Sequence, residues 1–89
     1  MGQVVWTESA LAELAALWLE VDLVNREAIT AAQAQIDSLL EKSPEDAGES
    51  RANGRRVAFV PPLGVVFSVS GEGRVAKVLR IWAIHRRAN

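Results

Sequence analysis

The residues best suited to chemistry in this sequence are basic and cluster toward its C-terminal end. His85 is the only histidine, set between Ile84 and Arg86. Neighbouring cations favour the neutral imidazole near pH 7, which suits a general base. With Arg86 beside it, attack of an RNA 2′-hydroxyl on the adjacent phosphate can be drawn. His85 would take or give a proton, and an arginine such as Arg86 or Arg80 would stabilise the pentacoordinate phosphorane. The plainer alternative is a surface histidine at the end of a strand.

Arg80 and Trp82 alternate to the same side of their segment, and Arg86 and Arg87 follow directly. Arg56 alternates outward on an earlier strand candidate, with Arg51 and Arg55 close by in sequence. Guanidinium forks beside an indole ring are what single-stranded RNA contacts need, charge for phosphates and a π-face for a base. The alternative is that Trp82 is core and the arginines are solvated edges. A cation on a central strand is costly to bury unpaired, which weighs against that alternative. The carboxylates Glu45, Asp46 and Glu49 read as a solvated loop rather than an acid–base pair. No phosphate-binding loop, dinucleotide fingerprint, nucleophile elbow or calcium-binding loop is present.

The charge is strongly segregated. Residues 1–50 carry Arg26 and Lys42 against ten acids, a net of −8, and residues 51–89 carry eight bases against Glu72 alone, a net of +7. Seven of those eight bases are arginine, the side chain that pairs bidentately with phosphate and carboxylate. Such a chain can present a basic face although its overall net charge is only −1. The other reading is internal neutralisation of one half by the other.

These residues need a scaffold, and 89 residues suffice for one domain spanning 1–89, with a modest core. Apolar residues make up 49% and charged residues 24%, an ordinary balance for a folded domain. The absence of cysteine excludes a disulfide scaffold, a thiolate nucleophile and thiolate-ligated metal. One histidine leaves no His-rich metal site, and neither a metal nor another cofactor is expected. No apolar run approaches the ~18 residues of a membrane span, and no basic segment leads an apolar stretch at the N-terminus, so a cytoplasmic protein is expected.

Gln3–Trp6 is a short β-prone run. Thr7 fits a helix N-cap with Glu8 in the first turn. Leu11, Leu14, Trp18 and Val21 then recur at helical spacing, predicting an amphipathic helix over about 8–21. Asp22 or Asn25 can cap a second helix, in which Ile29, Ala32, Ile36, Leu39 and Leu40 repeat the spacing until Ser43–Pro44 ends it. Residues 43–54 are turn formers and charges, a surface loop. Three strand candidates follow: 55–60, broken by Pro61–Pro62; 64–70; and, after Gly71-Glu72-Gly73, 74–84, which is expected in the middle of the sheet. The order β-α-α-β-β-β predicts an α+β fold. A helix hairpin packs on one face of a mainly antiparallel four-stranded sheet, and the other face is left to the arginines.

The whole chain resembles the RelE/ParE family of bacterial type II toxin–antitoxin toxins. The resemblance is carried by Val-Val-Trp-Thr-Glu-Ser-Ala-Leu-Ala-Glu-Leu at 4–14 and by Ala-Ile-Thr-Ala-Ala-Gln-Ala-Gln-Ile-Asp-Ser-Leu-Leu-Glu-Lys-Ser-Pro at 28–44. It continues through Gly48-Glu49-Ser50-Arg51 with Arg56, Pro62-Leu63-Gly64-Val65 before Phe67-Ser68-Val69, and Val78-Leu79-Arg80-Ile81-Trp82. The order and spacing of these pieces cover nearly all 89 residues. The resemblance implies a small toxin held inactive by a cognate antitoxin that wraps over helices and sheet. RelE-like members cut mRNA on the ribosome without metal or cofactor; ParE-like members poison DNA gyrase and are not nucleases. On the first reading His85, Arg86 and Arg80 are catalytic, and Arg51, Arg55, Arg56, Trp82 and Arg87 bind RNA or target. The alternative is a gyrase inhibitor or a decayed toxin-fold binding protein. Gly64 stands where RelE-like nucleases usually place an arginine, and the sequence has no tyrosine to match the one with which many of them end.

Overall fold

The computed structural model describes residues 2–72 and 74–84. Strand β1 (Gln3–Trp6) leads into helix α1 (Glu8–Glu20), whose N-cap is Thr7: its hydroxyl accepts the Ala10 N–H at 3.1 Å. Asp22 caps helix α2 (Leu23–Lys42) in the same way, accepting the Asn25 N–H at 2.9 Å. Each cap satisfies an amide that the first helical turn leaves without a partner. Strands β2 (Glu49–Ser50), β3 (Arg55–Val60), β4 (Leu63–Ser70) and β5 (Val75–Ala83) complete the chain.

The strands form a five-stranded sheet in the order β1-β5-β4-β3-β2. Strand β1 runs parallel to β5, and the remaining pairings are antiparallel. Both helices pack on one face of this mixed sheet, the α+β arrangement expected. The expected four strands become five because Glu49–Ser50, inside the segment read as loop, pairs with Val57 and Arg56. Two residues carry no periodicity, so a strand this short leaves no sequence signal.

The core lies between helices and sheet. Ile29, Ala32, Ile36 and Leu40 of α2 sit over Val65 and Phe67 of β4, and Ala10 and Leu14 of α1 sit over Ala76, Val78 and Ile81 of β5. Phe67, Ile36, Leu40, Leu63, Val65 and Val78 are fully buried, each contributing roughly 1.5–3 kcal/mol by leaving water. At its border, Trp6 donates its indole N–H to Asp37 on α2 at 2.7 Å, which ties β1 to the second helix.

The apolar stripe of α1 is rotated from the expected one. Ala10 and Leu14 are buried and Leu17 and Val21 pack against the core, whereas Leu11 and Trp18 are 47% and 40% exposed. Both faces of α1 carry apolar side chains at helical spacing, and only contact with β5 decides which one turns inward. Trp18 is held from outside. The Arg26 guanidinium lies 4.3 Å from its ring centroid while Nε donates to the Trp18 carbonyl at 2.7 Å. Nη2 reaches the Leu19 carbonyl at 3.4 Å. Arg26 thus neutralises the carbonyl end of α1 from the second turn of α2.

Candidate binding face

The face of the sheet turned away from the helices is built in cross-strand rows. The register aligns Arg55, Ser68 and Lys77 in one row, Val57, Val66 and Arg80 in the next, and Phe59, Gly64 and Trp82 in the third. Strict alternation along β5 cannot put Lys77 and Arg80 on the same face, because their parities differ. The structure resolves the conflict with a bulge. Phe67 pairs with Val78 but its neighbour Val66 pairs with Arg80, so Leu79 is an extra residue on β5. As a result Val78 and Ile81 both enter the core, and Lys77, Arg80 and Trp82 all emerge on the open face.

The third row is aromatic. A Cβ on residue 64 would lie 2.4 Å from two ring carbons of Trp82, so the indole rests directly on the Gly64 backbone. Phe59 meets that indole edge-on, with centroids 6.1 Å apart and planes at 88°. Phe59 is 59% exposed and Trp82 36%.

Arg80 is already engaged. The chain leaves the sheet after Trp6, with the Thr7 N–H bonded to the Val78 carbonyl at 3.1 Å, so among the described residues no strand covers the edge of β5 beyond that point. Glu13 of α1 fills the gap. One of its carboxylate oxygens accepts the Ile81 backbone N–H at 3.0 Å and the other accepts Arg80 Nε at 2.9 Å.

The other sequence-selected arginines disperse. Arg55 is exposed at the outer end of its row on the open face. Arg56 was expected to point outward with the charges, but it shares the side of buried Ala58. Its guanidinium donates from Nε to the Ala47 carbonyl at 2.8 Å and from Nη2 to the Gly48 carbonyl at 3.2 Å. Arginines occur at both parities of β3, so alternation alone could not choose, and the carbonyls of the α2–β2 connection decided. Arg51 lies 3.6 Å from Glu49 beside the β2 edge and donates to the Ser50 carbonyl at 3.1 Å. The expectation that the open face collects the arginines is therefore met by Arg55 and Arg80 and not by Arg56. His85, Arg86 and Arg87 lie outside the described residues. Phe59 is a member of this face that the sequence did not single out, since an outward Arg56 implies an inward Phe59 by alternation.

The helix hairpin forms a second exposed surface. Leu11, Trp18, Leu19, Leu23 and Val24 are exposed there, with Glu27 beside Trp18 and Leu23. Shallow hollows of about 410 Å³ lie on either side of Trp18, one lined by Leu11 and Leu19 and the other by Leu23 and Ala31. No described helix is long and apolar enough to cross a membrane.

No protein-family model and no curated protein matches the chain at the sequence level. Solved structures do. A chain of the chromosomal ParDE toxin–antitoxin system of P. aeruginosa superposes with a TM-score of 0.75 at 27% identity, covering 96% of this chain and 98% of that one. The RelBE2 toxin–antitoxin complex of Mycobacterium tuberculosis gives 0.69 at 19% identity, covering 92% and 96%. The isolated E. coli RelE toxin gives 0.63 at 19% identity, covering 98% and 88%. The chain has the fold shared by these RelE and ParE toxin–antitoxin structures.

Proposed function

We propose that this chain is the toxin of a type II toxin–antitoxin pair and that it acts by binding a protein target rather than by cleaving RNA. The observation that carries this reading is the Gly64–Trp82 contact. The end of the open face at residue 64, where the resemblance to RelE-like nucleases implies an arginine, is filled by an indole resting on glycine. A phosphate clamp needs several convergent cations around the scissile bond. Among the described residues Arg80 is held by Glu13 and Arg56 by two loop carbonyls, which leaves Arg55 and Lys77 at the far end of the face. The 27% likeness to the ParDE chain supports the same side. The target that the family resemblance implies for such a toxin is DNA gyrase.

The mRNA-cleaving reading rests on His85 and Arg86, which follow Ile84 in sequence, and it assigns them catalysis with Arg80. The cognate antitoxin is expected on the helix hairpin. Exposed Leu11, Leu19, Leu23 and Val24 suit the apolar side of an amphipathic segment, and Glu27 at its border favours a basic residue there.

One experiment separates the readings. The chain is expressed alone, and growth, mRNA integrity and plasmid supercoiling are followed. The expected result is growth arrest with intact mRNA and altered supercoiling. Cleavage of ribosome-bound mRNA, abolished by His85→Ala, would replace the binding reading with the nuclease one.

A further inference from the structure

We propose that the Phe59–Trp82 pair anchors a protein-binding surface whose partner presents an apolar side chain set apart from a group of carboxylates. The inference rests on the binding reading above and adds the site and the partner's chemistry. Phe59 and Trp82 are large, exposed and mutually braced, and the brace is built into the backbone by Gly64. Rigid aromatic groups of this kind lose little entropy on binding and are the usual anchors of protein interfaces.

The layout of charge selects a protein over a nucleic acid. Four residues along β3 separate the aromatic row from the Arg55–Lys77 row, roughly 13 Å at the rise of a strand. The row between them holds Val57, Val66 and Arg80, and the Arg80 guanidinium is matched by Glu13. A single strand stacked on Trp82 would need cations within one nucleotide of the ring. Among the described residues it would find carboxylates instead, because Glu13 and Glu20 line the hollow of about 470 Å³ that runs beside Trp82 and Ala83. A folded acidic partner has no such conflict. Its apolar group covers Phe59 and Trp82, and its carboxylates reach Arg55 and Lys77 at the other end.

The test compares wild type, Phe59→Ala and the double charge reversal Arg55→Glu with Lys77→Glu. Each is expressed in cells for growth arrest and purified for binding to short fluorescein-labelled single-stranded RNA and duplex DNA. Phe59 is mostly exposed and the two charges are exposed, so each variant is expected to keep the wild-type circular dichroism spectrum. Loss of an anchor of this type weakens association by about tenfold or more. The expected result is that both variants need about tenfold more protein for arrest, and that no form binds either oligonucleotide at physiological salt. Undiminished arrest by both folded variants would overturn the proposed surface while leaving the toxin reading intact. Oligonucleotide binding that Phe59→Ala weakens would also overturn it, in favour of nucleic acid. Absence of arrest by the wild type would remove the toxin reading and the partner with it.

Discussion

Residue 64 is a glycine because Trp82 occupies the space that any side chain there would need. A Cβ at this position would stand 2.4 Å from indole Cε2 and Cζ2 and 2.9 Å from Nε1. The contact joins the start of β4 to the far end of β5 and fixes the ring that Phe59 meets edge-on.

Gly64→Ala is expected to cost about 1–3 kcal/mol, the usual penalty for forcing a methyl into an occupied site. In a Trp82→Ala background the same change is expected to cost less than half as much. Urea unfolding of the four proteins in this double-mutant cycle measures the coupling, and simple additivity would show that the ring does not depend on the glycine.

Glu13→Ala and Arg80→Ala break the same ion pair but are not expected to be equivalent. Arg80 is 66% exposed along its side chain, so its loss is expected to cost less than about 1 kcal/mol. Loss of Glu13 also strips the Ile81 N–H of its acceptor at a part-buried edge, and about 1–3 kcal/mol is expected. Thermal melting of the two variants ranks them.

Arg26→Lys is expected to destabilise the helix hairpin almost as much as Arg26→Ala, by about 1 kcal/mol. Lysine keeps the charge but not the planar fork that lies over Trp18 while bonding two carbonyls. Tryptophan fluorescence, together with chemical denaturation, reports both the ring's environment and the stability.

His85→Ala and Arg86→Ala are expected to leave growth arrest unchanged if the chain acts by binding. Equal loss of arrest in both, with mRNA no longer cut, is the signature of the catalytic assignment. Induction assays with mRNA mapping read the two outcomes directly.

Much of the scaffold was legible in the sequence. Thr7 announced the start of the first helix through its capping chemistry, Asp22 was one of two caps offered for the second, Ser43–Pro44 announced the end of α2, and the spacing of Ile29, Ala32, Ile36 and Leu40 named the face of α2 that is buried. The segregation of acids into the helical half and arginines into the sheet half was equally plain. These are local properties, decided within a turn or two of chain by backbone geometry and side-chain type.

The binding face was decided elsewhere. Lys77 and Arg80 sit on opposite parities, and nothing near them in sequence shows that Leu79 bulges out to reunite them; that follows from Val78 and Ile81 both being drawn under α1. Arg56 was turned inward by carbonyls eight and nine residues away, and Arg80 was claimed by a glutamate 67 residues away. The sequence by itself determined which segments fold and that a sheet rich in arginine must form. Tertiary packing alone determined which cations face solvent and that an aromatic pair takes one end of the open face, because a side chain's partner depends on which elements meet, and alternation carries no record of that.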